Sequence, residues 1–176
     1  PALEQRLPFD PAKARALLNE AGYANGFAVT LDCVNVTYRA AVCQAIAAML
    51  TQVGIRVAFQ PSPSALFFPK LTQATASFFE FGWTPATDVW TTFNSIVRTW
   101  DGKGAGQFNG GRYSNARLDA VIDAIRVEPD LGKRRALIGD ALRTMNDELP
   151  LVPLYRRTLT WVMRPNIDVV HWPSDV

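Results

Sequence analysis

The sequence is poor in metal ligands, with one histidine, His171, and two cysteines, Cys33 and Cys43, among 176 residues. Structural zinc sites usually take four cysteine or histidine ligands, so we expect no metal centre and no cofactor, although a site made of carboxylates alone stays open. A serine, histidine and aspartate triad would have to recruit His171 from an irregular tail. We therefore expect His171 to be a surface or packing residue.

Long apolar runs and a charge surplus are also missing. No stretch approaches the roughly 18 apolar residues of a membrane helix, and the first residues lack the layout of a signal peptide. The 18 basic and 16 acidic side chains leave a formal charge of +2, which does not indicate a nucleic-acid surface. With 48% hydrophobic residues the chain can bury a core, so we expect a soluble globular body without a nucleic-acid partner.

Hydrophobic periodicity predicts helices and strands in alternation. Helices are expected at residues 11–21, 38–53 and 66–72, and strands at 27–33, 55–59 and 77–83. Asp10 followed by Pro11 is typical of a helix start. A strand, helix, strand order normally gives a parallel pair.

The second half predicts a long mobile loop at 98–112, rich in glycine, then two helices and closing strands at 151–155 and 159–163. Ser114-Asn115 and Pro129-Asp130 are the expected helix starts. No linker divides the chain. Residues 1–176 therefore predict a single α/β lobe, with a mixed β-sheet flanked by helices.

A candidate ligand site follows the strand at 77–83, because ligands of α/β sheets collect beyond the carboxyl ends of strands. Gly82 allows another backbone to approach, and Gly82 and Thr84 could offer backbone hydrogen bonds. Trp83 and Trp90 offer apolar contact area, and Asp88 could pair with a cationic group of the ligand. The alternative is that Trp83 belongs to the core and that Asp88 only caps the following helix.

Other chemistry finds less support. The loop at 101–106 has the glycines of a phosphate cradle but not the lysine and helix start that would follow in a P-loop. Asp119 with Asp123, and Asp147 with Glu148, are the close carboxylate pairs, and a solvated helix face explains them better than acid and base catalysis. We expect no enzymatic activity.

Cys33 and Cys43 are predicted to face the same layer, one from a strand and one from a helix. A disulfide and two buried thiols explain this placement equally well.

The ordered motifs resemble the C-terminal lobe of the extracellular solute-binding proteins of peptide and nickel ABC importers. The motifs are FDPAKA at 9–14, LLNEAGY at 17–23, QAI at 44–46, LTQVGIRV at 50–57, GW at 82–83, YSN at 113–115, LDAVID at 118–123 and PLVPLY at 150–155. They span almost the whole chain in the family's order.

The resemblance implies a lobe of the type II periplasmic-binding-protein kind, excised from a longer, monomeric receptor in the periplasm or at the cell surface. That receptor would close two lobes around a peptide or peptide-like solute and deliver it to a membrane permease, without a cofactor. It also implies that the Gly82-Trp83 strand end lies beside the ligand. Where relatives carry an acid that holds the peptide's amino group, this sequence has Ala86, and the nearest acid is Asp88.

A ligand-sensing domain of a transcriptional regulator is the alternative function, because the same fold can be reused. A signal peptide or a helix-turn-helix segment upstream in the parent protein would separate the two functions.

Overall fold

The computed structural model describes residues 8–84, 88–158 and 160–168, so Ala86 and His171 lie outside the described residues. The described residues form three strands and six helices. In chain order these are α1 (Pro11–Glu20), β1 (Ala28–Val34), α2 (Thr37–Thr51), β2 (Arg56–Ser62), α3 (Ser64–Thr72), β3 (Phe79–Glu80), α4 (Val89–Ile96), α5 (Ala116–Val127) and α6 (Leu131–Glu148).

The predicted helix starts are confirmed by side-chain caps. The carboxylate of Asp10 accepts a hydrogen bond of 2.8 Å from the Lys13 N–H at the start of α1. Asn115 caps α5 and Asp130 caps α6 in the same way. Each cap satisfies an N–H group that the first helical turn leaves without a backbone partner, and so fixes where the helix begins.

The sheet has the order β2-β1-β3, and both pairings are parallel. β1 lies in the centre, where Leu31, Cys33 and Val34 are buried. Pro61 is tolerated in β2 because that strand lies at an edge and needs fewer backbone donors. Strand β1, helix α2 and strand β2 form the predicted parallel unit.

The predicted closing strands are wrong. Residues 152–158 and 160–163 have no regular secondary structure, and β3 covers only two residues of the stretch expected at 77–83. An alternating apolar pattern becomes a strand only when a neighbouring edge supplies the hydrogen bonds. In the described residues β3 pairs with β1 alone, and the sheet is parallel without the closing strands that would have made it mixed.

The core consists of a helical cluster and two clusters on the sheet. The helical cluster contains Phe93, Ile96, Val97, Leu118, Ile122, Ile125 and Ala141. One sheet cluster is formed by Leu31, Cys33 and Cys43, and the other by Val34, Phe67 and Leu71. Phe81 and Phe108 pack against both the helical cluster and the cluster around Phe67. Apolar contact is therefore continuous between the helices and the sheet.

The structure also joins Cys33 of β1 to Cys43 of α2 by a disulfide, with the two Cα atoms 6.8 Å apart. Both side chains are fully buried, so the bridge lies inside the sheet cluster. No helix in the described parts of the chain is long and apolar enough to cross a bilayer.

Candidate functional site

The carboxyl ends of the three parallel strands meet at one edge of the sheet. β1 ends at Val34, β2 at Ser62 and β3 at Glu80, and the segments that follow each strand begin there. Helix α2 starts three residues after β1, which brings its first turn, with Tyr38 and Arg39, to this edge. Open α/β sheets bind ligands at such edges.

Gly82 and Thr84 are exposed just beyond β3. Among the described residues, neither Gly82, Trp83 nor Thr84 forms a backbone-to-backbone hydrogen bond. β3 is an edge strand, so this stretch extends an edge whose N–H and C=O groups can pair with another extended chain.

Trp83 is half-buried between these two residues, and its contacts lie within the lobe. Its ring packs on those of Phe81 and Phe108, at centroid distances of 6.4 and 5.3 Å. Its indole N–H donates to the Thr92 hydroxyl at 3.3 Å. These contacts agree with the alternative that Trp83 belongs to the core. Its neighbours in the chain, Gly82 and Thr84, are nevertheless exposed.

Asp88 uses both carboxylate oxygens inside the lobe. Oδ1 accepts from the Trp90 N–H at 2.7 Å and caps α4, while Oδ2 pairs with Arg134 of α6. The hydrogen bond from the Trp90 N–H and then the Arg134 guanidinium hold the pKa of Asp88 below its usual value. The cation that pairs with Asp88 is therefore Arg134 of α6, a residue of the lobe itself.

Trp90 packs against the helical cluster rather than beside Gly82. The Arg126 guanidinium carbon lies 5.0 Å from the centre of its ring, and its indole nitrogen is buried without a hydrogen-bond partner among the described residues. This environment is that of a core residue.

Sequence reasoning missed Arg39 and Glu80. Glu80 ends β3 and faces α2, where its carboxylate lies 3.8 Å from the Arg39 guanidinium. Burial raises the pKa of Glu80, and the nearby charge of Arg39 opposes that rise in part. Arg39 Nη2 also occupies the space that a Cβ at residue 82 would need, so glycine there makes room for the guanidinium. The sequence could have indicated Arg39 by its position, because it follows closely after the predicted strand at 27–33 and so lies near the carboxyl edge of the sheet.

The other polar features of the sequence are engaged in local structure. Asp119 accepts from the Thr99 N–H, and Asp123 pairs with Arg98 at 2.6 Å. The residues that the structure describes contain no group of three or more potential metal ligands.

Glu148 accepts from the Tyr113 hydroxyl at 2.6 Å and from the Asn115 amide at 2.8 Å. Burial, and then the hydrogen bond to Glu148, raise the pKa of Tyr113 to about 12. This cluster ties the end of α6 to the start of α5. Asp119, Asp123 and Glu148 are thus each engaged in contacts within the lobe.

In the glycine-rich loop, backbone N–H groups donate hydrogen bonds to a side chain of the same loop. Asp101 accepts from the N–H groups of Lys103 and Ala105, at 2.7 and 3.0 Å. The buried Asn109 side chain fixes the far end of the loop by bonding the backbones of Arg98 and Tyr113. The N–H groups of Lys103 and Ala105 already donate to the Asp101 carboxylate. In a phosphate cradle such N–H groups would instead point at the bound phosphate. The predicted mobility of the loop stays a prediction.

Comparison with known proteins gives a family and a fold. The sequence model of a family described as bacterial extracellular solute-binding proteins, family 5, middle region, matches residues 1–105. The glutathione-binding protein GsiB of Salmonella paratyphi A is 29% identical over 156 residues, which cover 85% of this chain and 30% of that protein.

Solved structures agree. DppA from Helicobacter pylori, an ABC transporter-associated periplasmic binding protein in complex with the peptide STSA, superposes with a TM-score of 0.78 at 22% identity, over 85% of this chain and 29% of that one. NikZ from Campylobacter jejuni, in complex with Ni(L-His), gives 0.71 at 18% identity, over 83% and 32%. These likenesses confirm the predicted fold class, an α/β lobe of the periplasmic-binding-protein kind. The chain spans about 30% of the length of the curated relative.

Proposed function

This chain belongs to the bacterial extracellular solute-binding proteins of family 5, and from that membership we propose that it is one lobe of the substrate-binding component of an ABC importer. The whole protein would hold its solute in a cleft between this lobe and a second one. Closure of two lobes by a hinge buries a ligand on both sides, and no catalytic group is needed for it.

The observation that carries this proposal is the open edge beyond β3. Gly82 and Thr84 are exposed, and the backbone from Gly82 to Thr84 has no backbone partner among the described residues. An extended solute can add to such an edge as a strand, with main-chain hydrogen bonds supplying affinity. Trp83 would contribute an apolar border. Asp88 and Trp90 would stabilise the lobe itself, Asp88 through the α4 cap and Arg134, and Trp90 by packing against the helical cluster.

A peptide or peptide-like solute suits this edge, because its own N–H and C=O groups match those of the strand. A relative at 29% identity is named for binding glutathione, which is a tripeptide. We further propose that the whole protein works as a monomer in the periplasm or at the cell surface, and that it delivers the solute to membrane permease subunits.

The alternative of a sensing domain in a transcriptional regulator has no support in the comparisons reported above. A helix-turn-helix segment upstream in the parent protein would favour that alternative and contradict the importer proposal.

The test uses the full-length protein that contains this chain, stripped of bound solute by unfolding and refolding. Calorimetric titration with glutathione and with the dipeptide Met-Leu is expected to give a dissociation constant of about 1 μM or below for at least one of them. Thr84→Pro removes one N–H donor from the edge. We expect it to raise the dissociation constant about tenfold, which corresponds to the free energy of one hydrogen bond.

Thr84→Ala is the matched control, because it removes the side chain and keeps the N–H group. We expect it to bind within about twofold of the natural protein. Absence of heat with both probes would contradict a peptide-like solute. Unchanged binding by a Thr84→Pro variant with a normal melting temperature would contradict strand addition at this edge.

A further inference from the structure

Asparagine is followed by glycine at two places in the sequence, at Asn25-Gly26 and at Asn109-Gly110. In such a pair the backbone nitrogen of the glycine can attack the asparagine side-chain amide, because glycine has no Cβ to hinder the approach. Asparagine is accordingly one of the chemically labile residues of proteins. Both pairs have the same intrinsic chemistry, so their surroundings decide which of them reacts.

Asn109 is restrained by its side chain. Its Nδ2 donates to the carbonyl oxygens of Arg98 and Tyr113, at 3.0 and 2.7 Å, and its Oδ1 accepts from the Tyr113 N–H at 3.0 Å. Only 5% of the residue is exposed. The side-chain carbon cannot turn toward the Gly110 nitrogen until these hydrogen bonds break, so this pair is protected.

Asn25 lies in the turn between α1 and β1, where it is exposed. Its side chain forms no hydrogen bond with the described residues, and its carbonyl oxygen accepts from Arg56 Nη1 at 3.2 Å. The Gly26 N–H donates to the Tyr23 carbonyl oxygen at 2.7 Å, and this bond must open before the nitrogen can attack. A surface turn opens at a much lower free energy than a buried segment does.

Gly26 is fixed by the packing of two turns. It has a φ of +66°, and a Cβ there would overlap the carbonyl oxygen of Gly54. Gly54 leads into β2 as Gly26 leads into β1, and the Arg56 N–H donates to the Phe27 carbonyl oxygen at 2.8 Å where the two strands start to pair. The lobe therefore needs glycine at position 26, which leaves Asn25 with a reactive neighbour.

Helix α1 depends on this turn for its place on the lobe. None of its residues is buried. Among the described residues, one side-chain hydrogen bond joins it to another part of the chain, from Arg15 Nη1 to the Gln52 carbonyl oxygen at 3.3 Å. A change of main-chain length at residue 25 will therefore displace α1 before it disturbs the core.

We propose that Asn25 is a deamidation site, at which the lobe acquires an isoaspartyl residue that loosens α1. The Gly26 nitrogen gives its proton to a solvent base and forms a bond to Cγ of Asn25. The bond from Cγ to Nδ2 breaks, and Nδ2 leaves as ammonia after taking up a proton. Water then opens the cyclic imide. Attack at Cγ gives aspartate, whereas attack at the main-chain carbonyl carbon gives isoaspartate, in which the main chain runs through the side chain and is longer by a methylene group.

The test ages the full-length protein that contains this chain in mildly alkaline buffer, which favours loss of the amide proton. Peptide mapping by mass spectrometry follows the conversion of each asparagine, and an isoaspartyl-specific methyltransferase with S-adenosylmethionine counts the isoaspartyl product. Asn25 is expected to convert at least about tenfold faster than Asn109, because more than one hydrogen bond must break at Asn109.

Two variants separate the consequences for α1. Asn25→Gln keeps a side-chain amide but would have to close a larger ring, so it should stay intact through the same ageing. Asn25→Asp carries the new charge without the longer main chain. Hydrogen exchange of the α1 amides is expected to become faster in the aged natural protein and to stay unchanged in aged Asn25→Gln and in fresh Asn25→Asp.

Conversion of Asn109 as fast as that of Asn25 would overturn the assignment of the site. Conversion of Asn25 without faster exchange in α1 would overturn the loosening of the helix. Equally fast exchange in fresh Asn25→Asp would show that the charge, and not the longer main chain, releases α1. No solute enters these measurements, so the proposed function can fail without affecting them.

Discussion

Asp88 shows how one carboxylate can serve two elements at once. One oxygen caps α4 and the other pairs with Arg134 of α6, and 44% of the side chain remains exposed. A cap contributes about 1 kcal/mol and an exposed ion pair less than about 1 kcal/mol. The two contributions can be separated, because asparagine keeps the cap and loses the charge.

We expect Asp88→Asn to lower the free energy of unfolding by less than about 1 kcal/mol at neutral pH, and Asp88→Ala by about 1–2 kcal/mol. The pKa of Asp88 is lowered in the folded protein. Its charge therefore stabilises the fold above the unfolded pKa of about 3.9, and this gain is lost as the pH falls through the folded pKa.

Urea unfolding of the three proteins between neutral pH and pH 3 measures these differences. The gap between the natural protein and Asp88→Asn should narrow as the pH falls. A gap that widens on acidification would show that the ion pair with Arg134 does not stabilise the lobe.

At the scale of elements, the disulfide fastens α2 to the central strand. Cys33 and Cys43 are ten residues apart, and both are fully buried next to Leu31. Closing a loop of this length stabilises a protein by about 3 kcal/mol in the loop-entropy treatment. The bridge also holds the first turn of α2, and with it Arg39, near the end of β1.

For the bridge we expect no reactive thiol in denaturant without reductant, when the protein is produced in an oxidising compartment. The double variant Cys33→Ala, Cys43→Ala should lose about 3 kcal/mol of unfolding free energy. Reduction of the natural protein should have a similar effect and leave the double variant unchanged. Two titratable thiols in the unreduced protein would contradict the bridge.

At the scale of the whole molecule, Phe81 and Phe108 connect the sheet to the helices. Both pack against the helical cluster and against the cluster of Val34, Phe67 and Leu71. Arg134 and Asp88 add a polar tie between α6 and the start of α4. Shared core residues make the two regions dependent on each other, which supports the prediction of one lobe.

We therefore expect the 176-residue chain to unfold in one cooperative step. Scanning calorimetry should give equal calorimetric and van't Hoff enthalpies, the usual sign of two-state unfolding. Phe108→Ala, which removes a shared contact, should lower the single melting temperature rather than split the transition. Two separate transitions in the natural chain would show that residues 1–176 contain more than one folding unit.

The sequence by itself determined the local structure of the first half and the helix starts of the second. Capping residues such as Asp10 and Asn115 act within one helical turn, and apolar periodicity acts within one element. The existence of a strand before Gly82 could also be predicted, although β3 ends at Glu80, two residues before that glycine. Reasoning from one element at a time works where the stabilising contacts are a few residues apart.

Only the tertiary structure decided which groups meet at the edge of the sheet. Tyr38 and Arg157, which are joined by a hydrogen bond, lie 119 residues apart in the sequence, and the ion pair of Asp88 with Arg134 joins residues 46 apart. The alternating residues at 151–155 look like a strand but have no edge to join within the described chain. Hydrogen bonds between strands and ion pairs between elements depend on the path of the whole backbone, because their partners become neighbours only after the chain has folded.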